Sequence, residues 1–359
     1  MMPRLRRQVL PLLLAAGASC AAAPFAGAVV NGTPVDRATV PWFAGVGGCG
    51  GTLVAPDRVL TAAHCVAGRT PQGLGAVSVA GVTRAPTGIA LHPNWRARNG
   101  DNFLDDVAIV GLAQPVTGVP VVTLGGAEPG EARILGSGRP FAPGTGHSEA
   151  TMYDSTLRTA DLRSIGDREC ARLFSTYKNP TGERFDPRMR CSIDADGLEP
   201  LYSGCFGDSG GPLWTGTNEA PVQLGVVSWG GNCGADHRPS VFADVARYRA
   251  FITDPTPTWA PTATTGTARI RGTARPGHRL TCSVTGHAAQ PGVELRFSWS
   301  VVGAGTSHYG APKHVGDGRT YTVTRADAGH HVACFVTAGN DGGLVALDVV
   351  NRAVRKAAG

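Results

Sequence analysis

At 359 residues the chain exceeds one ordinary domain and suits two. Apolar residues make up 42%, enough to exclude a disordered chain, and 50 glycines with 26 prolines argue for short strands and turns rather than long helices. The formal charge of +6 invites a nucleic-acid partner, an invitation the N-terminus withdraws.

Arg4, Arg6 and Arg7 precede an apolar run from Val9 to Leu14, which continues through Ala-rich sequence to Ala23. Ala26-Gly27-Ala28 then offers the small-x-small pattern of a signal-peptidase site, so residues 1–28 are expected to be a secretory signal peptide. A buried N-terminal helix would explain neither the basic start nor the small-residue end. A lipid anchor on Cys20 competes, although Gly17-Ala18-Ser19 lacks the leucine-like residue expected before a lipidated cysteine. Removing the segment takes three arginines and no acid, so 33 basic residues become 30 against 27 acidic and the charge falls to +3. No nucleic-acid partner is then expected. Cys20 leaves as well, and nine cysteines become eight, which in an oxidising compartment suggests four disulfides. No later stretch offers the roughly 20 apolar residues of a membrane span.

From Val29 to Asp254 short Val/Leu/Ile/Ala runs alternate with Gly, Pro and Asp turns, as in antiparallel barrels. Strands are expected at Gly50–Ala55, Val107–Val110 and Leu224–Val227. The apolar spacing of Val241, Phe242, Val245, Tyr248 and Ile252 predicts one amphipathic helix. Residues 255–267 are rich in Pro and Thr and are expected to form an extended linker. In residues 268–350, alternation at Leu280-Cys282-Val284, Leu295 to Val301, Tyr321-Val323 and Val332-Cys334-Val336 points both cysteines inward from different strands. With Trp299 between them in sequence, this is the arrangement of an immunoglobulin-like sandwich.

Three motifs carry chemistry: Thr61-Ala62-Ala63-His64-Cys65, Asp106-Val107-Ala108-Ile109 and Gly207-Asp208-Ser209-Gly210-Gly211-Pro212. Singly each has a bland explanation: a packed histidine, a turn aspartate, a glycine-rich loop. Together, in the order His, Asp, Ser, they supply what acyl transfer needs. A serine hydroxyl requires a base, and a neutral histidine serves near pH 7. A buried carboxylate holds the histidine's tautomer. Glycines beside Ser209 let the N–H groups of Gly207 and Ser209 converge on an oxyanion.

These motifs resemble the trypsin/chymotrypsin family of serine peptidases over residues 29–254. The resemblance implies an all-β fold of two six-stranded barrels, a chymotrypsin-like double β-barrel, with the site in the cleft between them. His64, Asp106 and Ser209 would form the triad. Asp106 directly precedes the Val-Ala pair of the family motif, whereas Asp105 is expected to be solvated or in a turn. The same likeness pairs Cys49 with Cys65, Cys205 with Cys233 and Cys170 with Cys191, leaving Cys282 with Cys334. It places the specificity pocket at Ser203, Gly204, Ser228, Trp229, Gly230 and Ser240. No carboxylate stands among them, which favours an apolar or aromatic side chain before the cut bond over Arg or Lys. The competing expectation is that Asp194, Asp196 or Glu199 swings an acid into the pocket.

Val29-Val30-Asn31-Gly32 resembles the family's mature N-terminus, with Asp208 as the acid that would pair with it. Cleavage after Ala28 would then free Val29 directly; an earlier cut, for instance after Ala18, would leave an activation peptide. Residues 268–350 resemble the Ig-like modules of bacterial extracellular proteins in ARPGHRLTC and TVTRADAGHHVAC, although His331 stands where a corner tyrosine is expected. The Ala-, Arg- and Gly-heavy composition adds the expectation of a bacterial source. The whole is expected to be a secreted, extracellular monomer acting on protein or peptide substrates, with no metal or other cofactor. A cell-surface or glycan ligand for the C-terminal domain stays open, Trp299 and Tyr321 being core positions that leave Tyr309 as the freer aromatic. The alternative from another class is a catalytically silent protease fold used for binding or adhesion.

Overall fold

The computed structural model describes residues 29–95, 103–126, 128–139, 156–175, 185–235, 237–261, 266–286, 292–302 and 313–355. The expected signal peptide and Tyr309 lie outside these residues.

After the short β1 (Thr33–Pro34) come β2 (Phe43–Val46), β3 (Cys49–Ala55), β4 (Arg58–Thr61), β5 (Val77–Val79), β6 (Val82–Arg84), β7 (Pro86–Leu91) and β8 (Ala108–Leu112). The latter seven form one antiparallel sheet in the order β6-β5-β2-β3-β4-β8-β7, curled around Trp42, Leu53, Leu60 and Ile109. The second set is β9 (Thr123–Leu124), β10 (Gly130–Gly136), β11 (Arg158–Ile165), β12 (Met189–Asp194), β13 (Pro212–Gly216), β14 (Pro221–Gly230) and β15 (Ser240–Asp244). Because β11 pairs with both β10 and β12, the strands β10-β13-β14-β15-β12-β11 close into a six-stranded ring. Closure removes the open edges that would otherwise template aggregation. Ile134, Leu162, Leu213 and Phe242 fill its interior. The fold of this part is therefore the all-β, chymotrypsin-like double barrel.

The helix expected over Val241–Ile252 is mostly not one. Ser240–Asp244 is β15, paired on both sides with β12 and β14, and only Arg249–Ile252 is helical. All five residues of β15 are buried. A strand covered on both faces loses its alternation, and the apolar residues beyond it completed a false helical period.

Beyond the barrels follow β16 (Thr267–Arg271), β17 (Arg279–Thr285), β18 (Glu294–Val302), β19 (Lys313–Asp317), β20 (Thr320–Thr322), β21 (His331–Asn340) and β22 (Gly343–Ala353). They make sheets of order β16-β17-β20 and β19-β18-β21-β22 that share one core. The Cys282–Cys334 disulfide joins β17 to β21 across that core. Trp299 is fully buried, stacks on Tyr321 at 5.7 Å and donates its Nε1 hydrogen to the carbonyl of Gly318 at 2.9 Å. His331 is exposed, while the Tyr321 hydroxyl donates to Asp327 at 2.7 Å. The Tyr321 bond runs to a side chain downstream of it, so it is not the backbone corner bond expected at position 331.

Residues 255–261 do not hang free. The Arg58 guanidinium donates to the carbonyls of Asp254 (2.6 Å) and Pro255 (3.0 Å), and Ala260 N–H donates to Ile89 at 2.7 Å. The start of the Pro/Thr-rich segment is laid along the first barrel.

Candidate active site

His64 lies on the helical turn Ala63–Val66, which follows β4 directly. Its backbone N–H donates to Asp106 Oδ1 at 2.8 Å, and its Nδ1 lies 2.7 Å from Asp106 Oδ2. Asp106 is fully buried, and the Ser228 hydroxyl donates to its Oδ2 at 2.5 Å. Three donors hold this carboxylate in one orientation, which sets the imidazole with its Nδ1 hydrogen toward Asp106. The His64 side chain is 23% exposed. Burial acts to lower its pKa, but the charge and hydrogen bond of Asp106 together outweigh burial and raise it above the ordinary histidine value.

The loop of Ser209 packs beside this pair through its backbone, and among the described residues no hydrogen bond joins Ser209 to His64. Gly50 N–H donates to Ser209 O at 2.8 Å, Gly210 N–H to Val227 O at 2.8 Å, and Gly211 N–H to Asp208 O at 2.9 Å. Gly210 has φ +77° and lies so close to Thr61 and Gly50 that a β-carbon would overlap them. The serine loop thus rests on the strand that ends three residues before His64. Gly207 has φ +93°, a left-handed backbone that glycine adopts without steric cost, and neither the Gly207 nor the Ser209 N–H has an acceptor among the described residues.

Asp208 is fully buried behind this loop. It accepts from Gly138 N–H at 2.8 Å, from Cys205 N–H at 2.9 Å and from the Val29 N–H. Burial pushes its carboxyl up to about 7, the three donors opposing that rise. Val30 N–H bonds to Ser203 O at 2.9 Å, and the Asn31 amide to Leu201 O at 2.8 Å, so the first described residues are strapped to the loop before the serine. Gly136-Ser137-Gly138 was not singled out from the sequence. A β-carbon on Gly138 would stand 2.5 Å from Phe206 O, so these glycines admit the Asp208 loop. Two glycines closing a strand were the available signal.

In the pocket region Ser203 Oγ and Ser240 Oγ are 3.0 Å apart, and Gly204 N–H donates to Ser240 Oγ at 3.1 Å. Trp229 and Gly230 are half-buried on β14, whereas the Ser228 hydroxyl is committed to Asp106. The loop acids are engaged with their own loop. Asp194 accepts from Asp196, Gly197 and Tyr202 N–H groups, Asp196 from Leu198 and Glu199 from Leu201. The disulfides join Cys49 to Cys65, Cys170 to Cys191 and Cys205 to Cys233. Cys49, His64 and Cys65 lie together, but both sulfurs are spent in the disulfide and cannot serve as thiolate metal ligands.

Asp105 is neither solvated nor idle. It is buried, with φ +57°, and its carboxylate lies 3.0 Å from Arg188 and 3.7 Å from His92 Nδ1. Asp105 does lie in a turn, the second of the two expectations; what short-range periodicity could not reveal is its partner in the other barrel.

Comparison with known proteins places the chain in a family. The trypsin family matches residues 29–252. The chain belongs to the trypsin family. It is 28% identical to trypsin alpha-4 of Lucilia cuprina over 243 residues, covering 63% of this chain and 86% of that protein. It is 30% identical to the vitellin-degrading protease of Bombyx mori over 236 residues, covering 62% and 84%. Against transmembrane protease serine 11G of Mus musculus it is 28% identical over 237 residues, 62% of this chain but only 54% of that protein. The chain thus spans about half the length of that curated relative. These trypsin-family relatives are animal proteins, which corrects the expectation of a bacterial source. No helix among the described residues is long and apolar enough to cross a membrane.

Asp208 yields a pH prediction for the chain still continuous through Ala28–Val29. Its folded pKa of about 7 lies above the ordinary 3.8, so the folded state holds the proton more tightly. The stability contributed by Asp208 should be fully present below about pH 4 and be lost as pH rises toward 7. Thermal melts across that range should show the decline, and Asp208→Asn should flatten it; equal slopes in the two proteins would contradict a buried, protonated Asp208.

Proposed function

We propose that this chain is a secreted serine endopeptidase in which Ser209 is the nucleophile, His64 the general base and acid, and Asp106 the orienting carboxylate. The observation that carries this reading is the buried Asp106 carboxylate holding the His64 ring at 2.7 Å beside the loop of Ser209. Residues 29–254 would be the peptidase unit, 255–267 the connecting segment, and 268–350 an Ig-like sandwich. Substrates are proteins or peptides, and no cofactor enters the chemistry.

Ser209 Oγ attacks the scissile carbonyl carbon while its proton passes to His64 Nε2. The charge that develops on the carbonyl oxygen is received by the N–H groups of Gly207 and Ser209. His64 returns the proton to the leaving amine as the C–N bond breaks, leaving an acyl ester on Ser209. Water, giving its proton to His64, then attacks the ester, and the acid leaves as Ser209 regains its hydrogen. Ser203, Gly204 and Ser240 offer a side chain in the pocket hydroxyls and no charge. With Asp194, Asp196 and Glu199 bonded to their own loop, a buried Arg or Lys would lack a counter-ion there.

Activation would come from freeing Val29. An ammonium at that nitrogen would meet Asp208 where the Val29 N–H already reaches it. A buried pair of this kind costs about 3–5 kcal/mol to break, enough to hold the loop of Gly207 in place.

A fluorophosphonate probe should label the wild type and leave Ser209→Ala unlabelled; no labelling of either would favour the silent binding protein. The kcat/KM profile should rise with pH through a limb above 6.5, because the base must be neutral and its pKa is raised. Asp106→Asn removes both raising influences, so that limb should move below 6.5 and the rate fall by about 10⁴-fold, the loss that the same change causes in the family. Paired Phe, Leu and Arg peptide substrates should be cleaved with Phe or Leu preferred, and dominant Arg cleavage would defeat the neutral pocket. N-terminal sequencing of the active secreted protein should begin at Val29; an active form beginning at Ser19 would remove the need for a free Val29.

A further inference from the structure

The C-terminal sandwich meets the first barrel through contacts that glycines make possible. Gly88 on β7 and Gly111 on β8 are direct cross-strand partners, and together they form a floor without side chains. The Trp259 indole lies on it. A β-carbon on Gly88 would stand 2.5 Å from the ring, and one on Gly111 2.9 Å from it. The Trp259 carbonyl accepts the Asn340 side-chain amide at 2.9 Å, which ties the connecting segment to the end of β21. The turn Asp341-Gly342 between β21 and β22 then reaches the barrel itself. Leu91 N–H donates to Gly342 O at 2.7 Å, and Ala346 N–H donates to Gly68 O at 3.0 Å.

Those last two bonds fall beside catalytic chain. Gly68 follows the helical turn that carries His64. Leu91 pairs with Ala108, two residues beyond Asp106. The exposed edge of β7 is covered at the same time, since Ala260 N–H bonds to Ile89 O. Each bond alone adds little. Their arrangement holds the segments of His64 and Asp106 from outside, at two points fixed to one rigid hairpin.

We propose that the C-terminal sandwich is a built-in brace for the His64–Asp106 pair, docked through Trp259 on the Gly88–Gly111 floor. The claim rests on the peptidase reading above. Trp259, Gly88 and Asn340 touch no reacting atom and are positioning residues. Through the brace, the alignment of His64 with Asp106 sets the imidazole's raised pKa and the rate of proton transfer.

The full-length chain allows a double-mutant cycle. Gly88→Ala should lower Tm by several degrees with Trp259 present and leave it nearly unchanged in Trp259→Ala, because the added methyl meets only the indole. Hydrogen exchange at Leu91 and Ala346 N–H should speed up at least tenfold in either single variant. On active-site-titrated enzyme, both should lose kcat about tenfold with KM little changed, and the acid limb should shift down toward 6.5. If Gly88→Ala is not recovered folded, Asn340→Ala gives the same exchange and pH readings. An equal Tm loss in both backgrounds, or an unshifted limb and kcat once exchange shows undocking, overturns the brace. Failure of the wild type to label with fluorophosphonate overturns the peptidase reading and the positioning claim with it, while exchange and melting still decide the docking.

Discussion

A carboxylate with no access to water must be offset by donors aimed at it, and Asp208 is such a group. Its oxygens take the N–H groups of Gly138, Cys205 and Val29. Each donor belongs to a different piece of chain: the end of β10, the pocket loop and the N-terminal strap. Satisfying one buried acid therefore brings three segments to a fixed spacing, and Gly207 and Ser209 flank that acid in sequence. The same strap bonds Val30 to Ser203, so Ser203 is held by the restraint that holds the loop of Ser209.

The pocket shows a second use of carboxylates. Three acids stand in the loop before Ser203, and a charge-based reading would place one of them under a basic side chain. Each instead accepts backbone N–H groups within two to eight residues. Turning inward would cost Asp194 three charge-assisted bonds, and Asp196 and Glu199 one each.

Much of the site was legible in the sequence because its chemistry is carried by short runs whose order is informative. His64, Asp106 and Ser209 each sit in a motif of four to six residues, and the pairing implied by the family resemblance matches the bridges observed. What escaped depends on contacts distant in sequence. Asp105 meets Arg188 across the barrels, and Trp259 finds its glycine floor far upstream. The helix expected after Val241 failed for another reason. Burial on both faces erased the alternation of β15, and periodicity cannot then tell strand from helix.

Asp105 and Asp106 also resolve a physical conflict. Two adjacent carboxylates, both withdrawn from water, repel each other unless each has its own partners. The positive φ of Asp105 turns the chain so that they face different ways. Asp106 meets His64 from its own barrel and Ser228 from the other. Asp105 meets His92 from its own barrel and Arg188 from the other. Each acid thus draws partners from both barrels. Parting them would cost Asp106 the Ser228 hydroxyl and Asp105 the Arg188 guanidinium, so the carboxylate that orients the histidine also links the two barrels.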